Sequence, residues 1–560
     1  MKRSKKRKVV TYAEGMFEAW EFQKECSADS SHPMMKSEAL SRLVRRRQRY
    51  SYDLVVHVGL ARYLRGMQRD EIKDELFRKR QIELSTGTVS YLCDRFLLYL
   101  EVLHLVRSPY LKAAIEEHGY PLHIDATSEH GKGGLFVCID GFRDWILVAG
   151  KIESESEAHL KPIVKRTVEL FGDPLAVVRD LGEPGQKAVA FLRKRGVPDF
   201  VCHYHFLGAL GKKLFDNPYS LLRNILRQSR IRTDLRQLLK DLKKYRVAGQ
   251  KTGRFGKGKV REDLLALVHW LLEGDGKKDA PYPFCMTHLD LFERCRDAVC
   301  RAERWVPTPR SQPETRALRH LEGLVNRLKK DKRFDDAASR LEKGWRAFCE
   351  ARDVLRLDES ELPRGDPRRA RQDHFPALEE KRREEIEKAV NRYVKDLKKR
   401  VGDESLVKPK STDAITLSYF LRYGDNLFGH PVVRDEDGEV IAVTERTNNK
   451  AEHYFGGEKQ HLRRRLGRAN LGRDLEDQPA QAALVSNLRH PDYVRILCGS
   501  LDDLASSFAL LDEQALDEAS PLVRSNRDTV LQNRVRALLK HLDESPDPDK
   551  TDTCSAQITP

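Results

Sequence analysis

From residue 119 to about 215, the apolar residues of this 560-residue chain come in an order that leaves few folds open. Three short runs, PLHIDAT, GLFVCIDG and DWILVAGKI, are separated by glycine-containing turns, the pattern of an antiparallel meander. A helical stretch follows at about 155–171, then a strand (PLAVVRD), a helix (GQKAVAFLRKR), a strand (DFVCHYH) and another helix. Three hairpin-linked strands followed by alternating helices and strands predict a mixed sheet whose later strands run parallel. Asp125 falls on the first strand and Asp180 at the end of the fourth. Ends of adjacent parallel strands open into a shared crevice, so both positions suit working carboxylates.

The remainder of the chain divides by composition into a basic, flexible arm (1–49), a helical region (50–118), an all-α insertion (216–425), a second core segment (426–500) and a C-terminal segment ending in a disordered tail (501–560). Six of the first eight residues, MKRSKKRK, are basic, and lysine plus arginine exceeds aspartate plus glutamate by 102 − 86 = 16. That surplus predicts a polyanionic partner and salt-sensitive binding. No apolar run approaches the ~18 residues that spanning a membrane requires, and the N-terminus has no signal-peptide core. Ten cysteines are too sparse for a disulfide framework, so a reduced, cytoplasmic chain is expected. Cys285, His288, Cys295 and Cys300 have a spacing that zinc could use. Helical periodicity, however, sets the last two on poorly matched faces, so zinc is not expected and buried thiols are.

Residues 50–107 read as helices, with a break at QIELS before TGTVSYLCDRFLLYLEVLHL. Two helices joined by a brief turn, with a serine or threonine as cap, form a helix-turn-helix pattern. Thr86, Thr88 and Ser90 then stand near the start of the second helix as DNA-contact candidates; an ordinary helical hairpin is the plainer alternative. In the insertion, the glycine-rich loop AGQKTGRFGKGK is a possible phosphate contact. Beyond it, PVVRDEDGEVIAV reads as a hairpin turning at Asp437-Gly438.

That hairpin leads into RTNNKAEHYFGGEKQHLRRRLGR, where Glu452 starts a helix crowded with arginine. Two strand aspartates and a helix-borne glutamate can bracket a pair of divalent ions, Mg²⁺ or Mn²⁺, about 3.5–4 Å apart, which clamp the attacking and leaving oxygens of a phosphodiester. Each acid has a structural alternative. Asp125 could start a turn, Asp180 could cap the helix near Glu183, and Glu452 could close a capping box with Asn449. Asp140, Glu129, Glu183 and Glu445 are the competing acids, with Asp140 beside Gly141 better suited to a turn. Phe455, Lys459 and Arg463 follow Glu452 at helical spacing, and Arg464, Arg465 and Arg468 widen this into a basic stripe able to hold DNA phosphates. The pair Gly456-Gly457 inside the helix suggests a kink or a close backbone approach.

RTNNKAEHYFGGEKQHLRRRLG resembles the glutamate motif of DDE transposases of the Mutator-like and bacterial insertion-sequence type. HIDATSE and VVRDLGEPG are similar to the sites of that family's first two acids, and VCHYHF to the motif that comes after them. The resemblance covers about 119–215 and 427–470, and implies an RNase H-like α/β core interrupted by the helical insertion. It also implies that Asp125, Asp180 and Glu452 are catalytic metal ligands, with Cys202 and His205 as active-site neighbours or DNA contacts. The expected activity is metal-dependent cleavage of element ends and attack of the freed 3′-hydroxyl on target DNA. Terminal inverted repeats and target duplex would be the partners, a homodimer or larger assembly would form on DNA, and the location would be the bacterial nucleoid. A transposase-derived DNA-binding protein without catalysis, and an RNase H-like nuclease that cuts without joining, are the alternatives.

Overall fold

A computed structural model describes residues 2–24, 37–128, 134–244, 259–274, 282–302, 312–357, 376–467, 470–511 and 513–517. The chain divides into two compact units, residues 1–202 with 429–560, and residues 203–428.

The first unit begins with a correction to the flexible arm. Strands β1 (Lys2–Thr11) and β2 (Gly15–Lys24) pair antiparallel as a hairpin. The base of the hairpin is anchored on residues 45–49. Val9 and Val10 are buried, Val10 N donates to Arg49 O, and the Arg7 guanidinium donates to the carbonyls of Arg45 and Gln48. A run of lysines read locally is a solvated tail. The strand partner MFEAWEF and a backbone ledge some forty residues on make it a strand.

Helices Tyr52–Gly59, Arg69–Arg80 and Thr86–Glu116 come next, the first continuing into a π-helical turn at Leu60–Leu64. The break falls on QIELS: Gln81 is left-handed (φ 54°), Ile82 and Leu84 are buried, and the Ser85 hydroxyl caps the next helix by accepting from Thr88 N at 3.1 Å. The 31-residue Thr86–Glu116 helix is far longer than its opening turns need. Its later turns bury Phe96, Leu97, Leu100, Leu103 and His104, and pack against the helix Glu157–Phe171 that lies over the sheet.

The sheet comprises β3 (Pro121–Thr127), β4 (Gly134–Asp140), β5 (Ile146–Ile152), β6 (Ala176–Arg179) and β7 (Asp199–Val201), in the order β5-β4-β3-β6-β7. β3 and β5 run antiparallel to β4, while β6 is parallel to β3 and β7 to β6. The chain is thus mixed α/β with a five-stranded mixed sheet and extensive helical regions. The β5 edge is closed by Asn487, whose side-chain amide exchanges two hydrogen bonds with the backbone of Ile146 (2.7 and 2.8 Å) and so imitates one more strand. Between β6 and β7, Arg179 grips Asp199 through two 2.8 Å bonds, with both side chains almost wholly buried. The expected hairpin is present as β8 (Val432–Arg434) and β9 (Val440–Val443), with Gly438 at φ 84°.

The second unit is helical in its described residues apart from short turns. The first helix, His203–Gln228, runs straight through the expected boundary at 216, because buried apolar residues, among them Phe206, Leu210, Phe215 and Leu222, recur along its whole length. Phe215, Trp345 and Phe348 cluster at ring separations of 5.3–6.0 Å in its core. Cys285 and Cys295 are buried, and burial pushes the Cys295 thiol up to about 12, while His288 stacks on Tyr219. The side chain of Cys300, the glycine-rich loop at 248–258 and the C-terminal residues 518–560 lie outside the described residues. No helix among the described residues is long and apolar enough to cross a membrane.

Candidate active site

Asp125 sits on β3 opposite Val137 of β4, and Asp180 is the residue after β6, the neighbouring parallel strand. Both carboxylates line one cleft with Phe136, Glu155, Gly182, Pro184 and Gly185. Glu452 joins them from the first turn of the helix Asn449–Leu466. The electrostatics report the meeting: burial pushes Asp125 up to about 8, opposed by the hydrogen bond from Ala126 N, and the charges of Asp180, Glu452 and Glu155 push it further. Glu155, at the exposed end of the β5 loop, is raised by burial and by Asp180. It is a fourth acid that the sequence reading placed at the start of the helical stretch and did not single out; the helix begins two residues later, at Glu157.

Asp180 takes the turn role as well as the cleft position. Its Oδ1 accepts from Gly182 N at 3.0 Å and steadies the start of the Glu183–Ala188 helix. A Cβ on Gly182 would stand 3.1 Å from both carboxylate oxygens, so glycine there keeps the carboxylate's approach open. Its backbone is held in turn, since Arg179 Nη1 donates to Asp180 O at 2.8 Å while the rest of that guanidinium grips Asp199.

Glu452 is placed differently. The helix does not begin with the expected capping box: Asn448 is the N-cap, and its side chain makes no cap bond to the helix. Instead Asn448 is fully buried and ties the helix start to β3, donating Nδ2–H to Ile124 O (3.0 Å) and bonding His123 Nδ1 through Oδ1 (3.1 Å). Its backbone N–H donates to the buried Cys202 Sγ at 3.2 Å. Burial lowers His123 to about 4, so a neutral ring donates to the amide oxygen, and a Cβ on Gly141 would collide with that ring. A second tie runs from Lys450 Nζ to Asp144 at 2.6 Å and Glu445 at 3.4 Å. Asn448, His123 and Lys450 are positioning residues that sequence reasoning missed; the only local trace was the TNN run. Cys202 is a neighbour of the helix start, whereas His205 lies on His203–Gln228 in the other unit.

The basic stripe is narrower than expected. Glu452, Arg463 and Arg464 are exposed and Lys459 half-buried, but Phe455 is buried in the core. Arg465, thirteen residues after Glu452, falls on roughly the opposite side of the helix and is half-buried there. Arg468 and the competing Glu129 lie outside the described residues. Among the described residues nothing lies within 4 Å of a Cβ placed on Gly456 or Gly457, and the helix continues through both, so neither a kink nor a close approach among those residues accounts for them. Asp140 serves its turn, bonding Phe142 N, Arg143 N and the Arg143 guanidinium; Glu183 pairs with Lys187. At the second helix of the turn motif, Thr88 shares the cap with Ser85, Ser90 accepts from Arg69 Nη1 at 3.0 Å, and Thr86 is half-buried at the first helical position.

Carboxylate oxygens are hard donors, and their crowding around Asp125 is a field that a divalent cation relieves, so the donor set suits Mg²⁺ or Mn²⁺ in kind. Among the described residues, no three His, Cys, Asp or Glu side chains already stand as a ligand group. Compared with known proteins, the chain matches no protein-family model, and no curated protein is recognisably similar to it.

Proposed function

We propose that this chain is a DNA-cutting and joining enzyme, a transposase of the DDE type with an RNase H-like core. The observation that carries the reading is the convergence of Asp125, Asp180 and Glu452, 327 residues apart at the extremes, so that the second and third raise the first. The strand order, three antiparallel strands followed by two parallel ones, supports the core assignment. Asp125, Asp180 and Glu452 would hold two divalent ions, with Glu155 close enough to contribute. Bound there, the ions would supply an activated attacking oxygen and stabilise the leaving oxygen.

The chain's own residues would do the rest. Asp125 must give up its proton to act as a ligand; its raised value opposes that near neutral pH, so cation binding there would be coupled to proton release and favoured as pH rises. The glycines at 182 and 185 leave room for a strand beside Asp180. The exposed Arg463 and Arg464 and the half-buried Lys459 on the glutamate helix would grip phosphates on either side of the scissile bond. The start of the Thr86–Glu116 helix and the cationic β1–β2 hairpin are the surfaces from which a duplex would be read.

A strand-transfer assay tests this reading, with element-end duplex, supercoiled target and Mg²⁺, using wild type beside Glu452→Gln. Joined products from the wild type alone are expected. Cleavage without joining would favour a nuclease. DNA shifted but uncut by both proteins would point to a binding protein that retains its acids unused.

A further inference from the structure

On the side of the glutamate helix away from Glu452, a recess is lined by Arg62, Tyr63 and Gly66 from the π-helical turn, Glu458, His461 and Arg465 from the glutamate helix, and Arg489 with Gln478 from the segment behind. Three arginines and a histidine meet one carboxylate. That carboxylate, Glu458, is engaged by Gln478 Nε2 at 3.3 Å. Among the described residues no acid forms an ion pair with Arg62 or Arg465. Arg62 reaches only the Met67 carbonyl, and the buried Arg465 Nε has no partner, nor has Gln478 Oε1. Burial and the charge of Arg465 lower Arg62, and burial lowers Arg465. Two half-buried guanidiniums that repel each other are expensive unless something negative enters between them.

The backbone around the recess is also unusual. A π-helical turn is rare and concentrates at functional sites; here it delivers Arg62 and Tyr63. Gly66 at φ 72° closes the turn against His461, whose Nδ1 would be 3.3 Å from a Cβ at that position. Planar guanidiniums present paired donors that match the oxygens of phosphate.

We propose that the Arg62–Arg465–Arg489 recess is a phosphate-binding site that takes a backbone phosphate of DNA, clamping the strand to the face of the glutamate helix opposite the acids. It rests on the reading that the chain acts on DNA. It would make Arg62, on the helical region, and Arg465, on the catalytic helix, grip one phosphate together and so couple end recognition to the placement of Glu452.

The test compares full-length wild type with Arg62→Gln and Arg465→Gln in two measurements. The first is thermal unfolding in inorganic phosphate against chloride at matched ionic strength. Wild type should melt higher in phosphate. The variants, relieved of an unpaired cation, should melt no lower than wild type in chloride and lose the phosphate response. The second is affinity for a duplex without terminal phosphates across salt concentrations, where each variant should lower the salt slope by about one phosphate contact, ~0.9 in log–log units. Should either variant fail to fold, Arg489→Gln at the exposed mouth replaces it, with the same expectation.

A wild type indifferent to phosphate, or variants that respond as wild type does, overturns the site. A phosphate response with an unchanged DNA slope overturns the DNA assignment and leaves a site for free phosphate. A protein that binds no DNA at all sinks the proposed function, and the phosphate response would then be read separately.

Discussion

The two aspartates and the glutamate of the candidate site are held by different kinds of structure. Asp125 and Asp180 hang on adjacent parallel strands, whose spacing the sheet sets and whose far side is stapled by the buried Arg179–Asp199 pair. Glu452 is itself exposed, on a helix turn held by one buried asparagine, one lysine and the buried side chains of Ala451 and Phe455. A sheet fixes its residues through many shared hydrogen bonds, whereas a helix end docked by a few side chains can shift without unfolding anything else. The aspartates therefore form a standing platform, and the glutamate is the adjustable member.

The largest expected effect tests the platform. Asp199→Ala leaves Arg179 buried without its partner and should lose about 3–5 kcal/mol in urea unfolding. An unchanged midpoint would show that the strand pair does not depend on this staple.

Asn448→Ala attacks the other side. It strands Ile124 O and His123 Nδ1, each worth about 1–3 kcal/mol when buried and unmet. Strand transfer should fall further than stability does, because the helix carrying Glu452 loses its latch while the sheet remains. Equal losses in both would erase the contrast between platform and adjustable arm.

Asp125 gives the contrast a pH signature. Its folded value, about 8, lies above that of the unfolded chain, so the folded state holds the extra proton. This group's contribution to stability is greatest at low pH and is lost as pH rises from about 4 to 8. The slope is at most about 1.4 kcal/mol per pH unit, reduced by the solvent that reaches this half-buried group. Asp125→Asn should flatten the slope of melting temperature against pH in that window. Added Mg²⁺ should raise the wild-type melting temperature at pH 8 and leave the variant's unchanged. A variant that keeps the wild-type slope would place the titration elsewhere.

The smallest effect concerns Gly456. Among the described residues nothing fills the space beside it, so Gly456→Ala should stabilise the helix by up to about 1 kcal/mol. If DNA passes over that face, the same change should weaken duplex binding. Unchanged binding would remove the DNA-contact role proposed for this glycine.

Much of the fold was legible where local signals agree. The three-strand meander, β6, β7, the turn at QIELS and the helix from Asn449 arise from apolar runs bounded by glycine, serine or asparagine, signals that act over a few residues. Asp125 and Asp180 could be chosen because they end such runs, and Glu452 because its neighbourhood resembles a known motif. The β1–β2 hairpin was not legible: its lysines read as a solvated tail until Phe17 and Trp20 and the ledge at residues 45–49 are brought to them. Nor was the part of Glu155, which reads as one more polar residue at a helix start until the fold sets it beside Asp180.

By itself the sequence determined which stretches become strand or helix, the net positive charge, and the candidates for the acidic triad, because periodicity, turn chemistry and charge are properties of neighbours along the chain. Only the tertiary structure decided that Asn448 turns away from its own helix to hold β3, that Arg465 faces inward toward Arg62, and that Asp125 keeps its proton. Those outcomes depend on residues hundreds of positions apart sharing one desolvated space, where an unmet hydrogen bond or charge weighs far more than it does in water.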